Sequence, residues 1–298
     1  MDDLTDPYPE GSRDKSAMEC PDPASFEFLK PGHRYLFKHS NKNYPEQFWA
    51  EIIAYKVGCQ MSVPVPPAFA AFNSSNESHP AALIEWFYDW DADDVLYVPG
   101  GNFMTRMIDN FDSKRGTQHN LGTIIDLIQV FESDRLNNES SIHWGKAFVF
   151  DALIGNTDRH QDNWGWLRLG QEKHVDWSPA FDNGTSLGHE ILERNFPKFQ
   201  ESSRLDRYIS NGHHHVKWLM EDEKPMQHVE LVRRYVAEFP ETRDHIMKCL
   251  AVDMDQLEIQ LRELCEFECK VSFSEARCDF VILLLKTRLA ALSAALGA

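Results

Sequence analysis

Long apolar runs, clustered cysteines and positive charge are what this chain of 298 residues has little of. No stretch approaches the roughly 18–20 uninterrupted apolar residues that a membrane-spanning helix needs. The opening MDDLTDPYPEGS also lacks the positive-then-apolar order of a secretory signal, so a cytoplasmic protein off the membrane is expected. Six cysteines (Cys20, Cys59, Cys249, Cys265, Cys269, Cys278) are scattered without a CxxC pair, which excludes a disulfide scaffold and favours reduced, structural thiols. Lys and Arg total 30 against 47 Asp and Glu, a formal net charge of -17. That imbalance excludes a broad basic surface for nucleic acid and disfavours docking on anionic lipid. With 15 Gly, 15 Pro and no internal repeat, low-complexity and solenoid classes drop out too. What remains is a globular chain, 42% hydrophobic, long enough for one large domain or two lobes. A local basic pocket is still open to it.

Residues 1–24 carry seven acids against Arg13 and Lys15, with four prolines and few aliphatics, which predicts a flexible acidic leader. Arg34–Lys38, after the turn pair Pro31-Gly32, is short and aromatic-rich and predicts a strand. In YPEQFWAEIIAYKVG, Phe48, Ile52 and Tyr55 share a helical face, with Pro45 in the first turn and Gly58 as the C-terminal cap. Extended VPVPPAFAAF and the apolar run AALIEWF follow. Segments 119–131 and 142–154 have helical spacing, the second stopping at Gly155, and NWGWLRL with KHVDW reads as a hairpin. From about 214 the pattern is helical to the end. The expected fold class is α+β, bilobal, with a small mixed lobe over 25–100 and a larger, mainly helical lobe over 101–298.

The densest polar constellation is Gly155-Asn156-Thr157-Asp158-Arg159-His160-Gln161-Asp162-Asn163-Trp164, between a helix end and the hairpin, with Phe181-Asp182-Asn183-Gly184 just beyond it. Loops held by rigid elements are where reactive groups sit. Phosphoryl transfer asks little of a protein: a carboxylate for the nucleophile's proton, and oxygen ligands that hold Mg²⁺ against nucleotide phosphates. Asp158 suits the first role, Asn163 and Asp182 the second.

The run DALIGNTDRHQDNWG, followed by FDNG 24 residues after its first key Asp, resembles the catalytic and metal-binding motifs of HipA-like serine/threonine kinases, within the wider protein-kinase-like fold that includes phosphatidylinositol kinases. The resemblance implies ATP and Mg²⁺ as cofactors, Asp158 as the catalytic residue, and Asn163 and Asp182 as metal ligands. It departs at Asp162, where the HipA-like loop commonly has Lys before its Asn. It also implies that Lys38 neutralises nucleotide phosphates while Glu51, 13 residues on, positions it. Glu10–Lys15 resembles the short phosphate-gripping loop, which brings in Gly11, Ser12 and Lys15, with Ser12 an autophosphorylation candidate. Glu85 and Phe87 fall at the adenine hinge, the Glu85 carbonyl and Phe87 amide facing the base. The resemblance covers about residues 10–190 and is densest over 151–188. It further implies a protein substrate and an antitoxin-like or regulatory protein partner. The N-terminal part is short for the family's usual extra subdomain.

Plainer roles stand beside these. Lys38 and Glu51 also suit solvated positions on a strand and a helix, and Gly11–Lys15 a disordered leader. His160 suits a structural imidazole better than a base, and Arg159 steadies either the loop or the phosphates. Adjacent His213-His214-His215 point different ways and do not suit a metal site, Cys265 and Cys269 pack a helix face, and Asp89–Asp94 suit a solvated turn. The rival functions are a phosphatidylinositol 4-kinase-like lipid kinase, suggested by the D-R-H-x-x-N wording, and a nucleotide-binding module without transfer.

Overall fold

The computed structural model describes residues 3–4, 13–73, 76–88, 95–130, 136–169 and 174–297. The small lobe is a five-stranded antiparallel sheet. Its spatial order is β1 (Asp3–Leu4), β2 (Lys15–Glu19), β3 (Arg34–His39), β5 (Asn76–Glu85) and β4 (Ala68–Asn73). The expected leader is therefore overturned over Lys15–Glu19. Those five residues carry little strand signal of their own, but β3 offers them a complete ladder, with Lys15 opposite Lys38 and Ala17 opposite Leu36. Gly11, Ser12 and the Asp89–Asp94 acids lie outside the described residues.

Helix α1 (Gln47–Met61) packs under this sheet and is buried nearly all round, because the helical lobe covers its other side. Gly58 is not its cap. The helix runs on to Met61 and ends on Ser62, which takes φ +53° while Val63 N–H reaches back to the Gly58 carbonyl at 2.9 Å. Gly58 is small for another reason: a Cβ there would lie 2.4 Å from Val65 Cγ2, where the chain doubles back against the helix.

A second sheet joins β6 (Val95–Pro99), β7 (Gly165–Leu169) and β8 (His174–Trp177). The hairpin β7–β8 forms as expected, but β6 pairs with β7 across about seventy residues of sequence, so it belongs with the helical lobe's hairpin despite preceding residue 101. The helical lobe comprises α2 (Gly100–Met107), α3 (Leu121–Val130), α4 (Leu136–Ile154), α5 (Ser202–Ser210), α6 (His228–Glu238), α7 (Arg243–Leu250), α8 (Met254–Arg262) and α9 (Glu275–Leu296). One core runs from Phe48 and Ile52 of α1 through Phe148 and Leu153 of α4 to Val281 and Leu285 of α9. Among the described residues no helix is long and apolar enough to cross a membrane.

The end of α4 launches the polar loop. Gly155 takes φ +67°, and a Cβ on it would lie 2.2 Å from Arg288 Nη2. That room is needed because Arg288 of α9 donates through Nη1 to the Ile154 carbonyl at 3.0 Å, a cation at a helix C-terminus.

Candidate active site

The loop 155–164 is tied to α4 by its own side chains. Asn156 donates to Asp151 Oδ1 (3.1 Å) and accepts the Asp158 N–H (3.0 Å), so the backbone turns at Asp158. Asn163 donates its side-chain N–H to the Asp158 carbonyl at 2.7 Å, closing the loop on itself and leaving Asn163 Oδ1 as the amide's acceptor. Arg159 decides its own question: its guanidinium is buried and holds the loop. It donates to Asp151 (2.7 and 3.0 Å), to the Asn163 carbonyl (3.2 Å), to Asn183 Oδ1 (2.8 Å) and to the Phe181 carbonyl. Two chain segments separated by about twenty residues are thus fixed by one side chain.

The three consecutive histidines diverge. His213 meets the Asn211 carbonyl. His214 Nδ1 accepts Val216 N–H, so its proton sits on Nε2, 3.0 Å from Asp151 Oδ2. His215 Nδ1 faces His119 Nδ1 at 3.2 Å, and His119 Nε2 accepts the Trp164 indole N–H at 2.9 Å. Burial, with His160 next, lowers His215 to about 4, and burial lowers His119 well below its usual range. Both rings are therefore neutral props for the loop's C-terminal end. Asp162, the odd residue of the motif, lies beside the start of α2: a Cβ on Gly101 would touch its Oδ1 at 2.2 Å. A carboxylate suits the N-terminal end of a helix, which gives this departure a local reason.

Lys38 and Glu51 meet Asp182. From β3, Lys38 Nζ donates to Glu51 Oε1 at 3.0 Å and to Asp182 Oδ1 at 2.7 Å. Glu51 Oε2 accepts the Asn183 backbone N–H at 2.8 Å. A carboxylate 3% exposed on a buried helix is tolerable only with such partners. Burial alone would raise the Glu51 carboxyl, and Lys38 and Arg13 outweigh it and hold it low. The same balance holds Asp182 well below the carboxylate range, with Lys38 and Arg13 prevailing over burial. Asp182 also takes φ +54°, a left-handed conformation that costs a non-glycine residue energy and is typical of functional turns. Asp158 moves the other way. Burial raises its carboxyl and Asp182 adds to that, against His160 and the Thr185 hydroxyl, which donates to Asp158 Oδ2 at 3.3 Å.

Lys15 opens β2 directly across from Lys38, half-buried, and burial followed by the Lys38 charge lowers its pKa. Glu85 ends β5 with its side chain turned to Lys30 Nζ at 2.5 Å. Phe87 packs on Phe181 (5.1 Å between centroids) and edge-on to Tyr97 (5.7 Å), an aromatic wall next to Asp182. The structure therefore gathers Lys15, Lys38, Glu51, Asp158, Asn163 and Asp182 at one mouth, with Phe87 on its wall, whereas the Glu85 side chain meets Lys30 and His33. Sequence reasoning missed Asp151, Thr185, Phe181 and the site role of Arg13. Asp151 carried one available signal, an acid amid the apolar run that ends α4.

A small antiparallel sheet over a buried Lys–Glu pair, joined to a helical lobe that presents the polar loops, defines a bilobal protein of protein-kinase-like fold. The chain belongs to the HipA-like C-terminal domain family, which matches residues 9–242, well past the span that its motifs alone delimit. A stretch of 40 residues is 50% identical to the serine/threonine-protein kinase CtkA of Helicobacter pylori strain J99, covering 13% of this chain and 12% of that one. The crystal structure of the H. pylori proinflammatory kinase CtkA superposes with a TM-score of 0.77 at 18% identity, over 97% of this chain and 93% of that one. HipA of Shewanella oneidensis MR-1, solved with HipB and operator DNA, superposes with a TM-score of 0.55 at 11% identity, over 95% of this chain and 64% of that one. At these identities the two structures establish the fold.

Proposed function

We propose that this protein is an ATP- and Mg²⁺-dependent kinase that phosphorylates serine or threonine hydroxyls of a protein. The observation that carries the reading is the contact of Lys38 Nζ with both Glu51 (3.0 Å) and Asp182 (2.7 Å), beside a carboxylate, Asp158, whose pKa is raised. Family membership and the CtkA-like fold support it.

The donors fit a magnesium ion. Among the described residues no three His, Cys, Asp or Glu side chains are grouped to cage a metal by themselves. Magnesium keeps several waters and takes one or two carboxylates with substrate phosphates, and Asp182 with Asn163 Oδ1 is such an oxygen set. Held there by Asp182 and Asn163, it would supply positive charge that offsets the negative charge of the phosphates during transfer. Lys38, positioned by its contact with Glu51, would bind the α- and β-phosphates, with Lys15 and the Gly11–Ser12 backbone as further phosphate contacts. The adenine would lie along Phe87, with the Glu85 carbonyl and Phe87 amide as its hydrogen-bonding edge. Asp158 would orient the acceptor hydroxyl and take its proton as the oxygen–phosphorus bond forms and ADP leaves. Asn163 and Arg159 keep that carboxylate in place.

Lys38→Met is expected to weaken ATP binding by about tenfold or more, the loss of a charge-assisted contact. The fold should survive, since Glu51 keeps Arg13 and the Asn183 amide. Calorimetric titration with ATP reads this, and an unchanged affinity removes Lys38 from the site. The acid limb of kcat/KM is expected above the ordinary carboxylate range of about 4, because Asp158 must be ionised to accept a proton. Thr185→Val deletes a hydrogen bond to the ionised form and should move that limb further up in a pH–rate profile. A limb that stays put or moves down counts against Asp158 as the titrating group.

The acceptor is tested by incubating the protein with γ-labelled ATP, Mg²⁺ and either cell extract or phosphoinositide vesicles. Label in protein Ser or Thr is expected. Label confined to lipid would overturn the reading, and ATP binding without transfer would leave a binding module. A reducing, cytoplasmic setting belongs to the same proposal, supported by six free cysteines. So does a regulatory protein partner, for which HipA crystallised with HipB is the precedent. Direct contact with nucleic acid is no part of it, given the charge of -17.

A further inference from the structure

Arg13 has no role in the chemistry described above, yet it sits at its centre. Its side chain is 7% exposed, and Nη2 donates to Glu51 Oε1 and to Asp182 Oδ1, both at 2.7 Å. Those are the same two oxygens that Lys38 binds. Nη1 is buried with no hydrogen-bond partner, and it fills the space that a Cβ on Gly184 would occupy, 2.4 Å away.

A purely structural ion pair accounts poorly for this. Glu51 is already satisfied by Lys38 and the Asn183 amide, so Arg13 is redundant there. A buried guanidinium N–H without an acceptor is costly and calls for a ligand oxygen. Most tellingly, two cations on Asp182 Oδ1 repel the third that the proposed reaction requires.

We propose that Arg13 is a resident counter-cation, which holds Asp182 while nucleotide is absent and transfers its guanidinium to the nucleotide's phosphates when they arrive. The proposal rests on reading the site as one for nucleotide and metal. The exchange is balanced in kind: a guanidinium–carboxylate contact is replaced by a guanidinium–phosphate contact, for which the planar fork is equally suited. Nη1 gains the acceptor it lacks, and Asp182 is released for the divalent cation. Metal without nucleotide is disfavoured, because the Asp182 oxygen it would take is already held by Arg13 and Lys38, each at 2.7 Å. The glycine after Asn183 is what lets the guanidinium approach so closely.

The test uses the full chain with Mn²⁺ as a paramagnetic substitute for Mg²⁺, followed by electron paramagnetic resonance without nucleotide, and ATP titrated calorimetrically without metal. Arg13→Gln should bind Mn²⁺ about tenfold more tightly than wild type and metal-free ATP about tenfold more weakly, one charge-assisted contact in each direction. Adding Asp182→Asn to that variant should abolish the Mn²⁺ gain. A side chain that only braced the fold would weaken both ligands. Gly184→Ala, whose methyl displaces Nη1 while the charge stays in the chain, should also tighten Mn²⁺ and gives the comparison a second variant should Arg13→Gln lose its native circular dichroism. Unchanged or weaker Mn²⁺ binding in the folded variants, or unchanged ATP affinity in Arg13→Gln, overturns the proposal. Absence of phosphoryl transfer by the wild type would overturn the kinase reading alone, since neither titration requires turnover.

Discussion

Asp158→Asn is expected to bind ATP as the wild type does and to lose on the order of a thousandfold in phosphoryl transfer. The substitution keeps the size and shape of the side chain. The contacts that build the loop, from Asp158 N–H to Asn156 and from Asn163 to the Asp158 carbonyl, are backbone contacts at position 158 and survive it. What disappears is an acceptor for the incoming hydroxyl's proton, at the one carboxylate of the mouth whose pKa is raised while that of Asp182 is depressed. Two acids with pKa values pushed apart divide the labour: the lower stays ionised beside cations, the higher is the better base. Nucleotide affinity by calorimetry and labelled-phosphate transfer, measured on the same preparation, separate the effects. Turnover near wild type would remove Asp158 from the mechanism.

Asp151→Ala should be the most damaging substitution for stability, at about 3–5 kcal/mol, the usual cost of breaking a buried pair by removing one partner. Asp151 is 0% exposed, and so is its partner His214, while Arg159 is 2% exposed. Without the carboxylate, Arg159 keeps its charge in a dry interior with only carbonyl and amide oxygens to meet it. Urea unfolding of the helical lobe, followed by tryptophan fluorescence, reads the loss, and a change under 1 kcal/mol would show that the pair contributes little. The pH dependence has a definite sign. Burial would raise the Asp151 carboxyl, but Arg159 and the His214 hydrogen bond hold it well below the carboxylate range. Its contribution is therefore fully present above the unfolded pKa of about 4 and is lost as pH falls toward the folded value. The gap between wild type and Asp151→Ala should narrow in acid.

Much of the site was legible in the sequence because its parts are local. Asp158 and Asn163 lie five residues apart on one loop, Gly155 ends the helix before them, and Asp182 follows a hairpin whose two strands announce themselves by composition. Over such short spans the backbone has few ways to turn, so spacing determines geometry. The β3 strand and α1 helix were equally plain from periodicity, and with them the positions of Lys38 and Glu51.

Residues that act through distant contacts were not legible. The strand Lys15–Glu19 looks like a polar leader until β3 supplies its ladder, and β6 looks like part of the small lobe until it pairs with β7. Gly58 looks like a cap until Val65 returns against it. Arg13, one of two basic residues among the acids of the first two dozen, reaches Asp182 across 169 positions. By itself the sequence determined that this acidic chain carries a kinase-like polar loop, a strand lysine and a helix glutamate in workable order. The tertiary structure alone decided which charges share the mouth and which cation holds Asp182, because Coulomb energies depend on separations in space that no local pattern encodes.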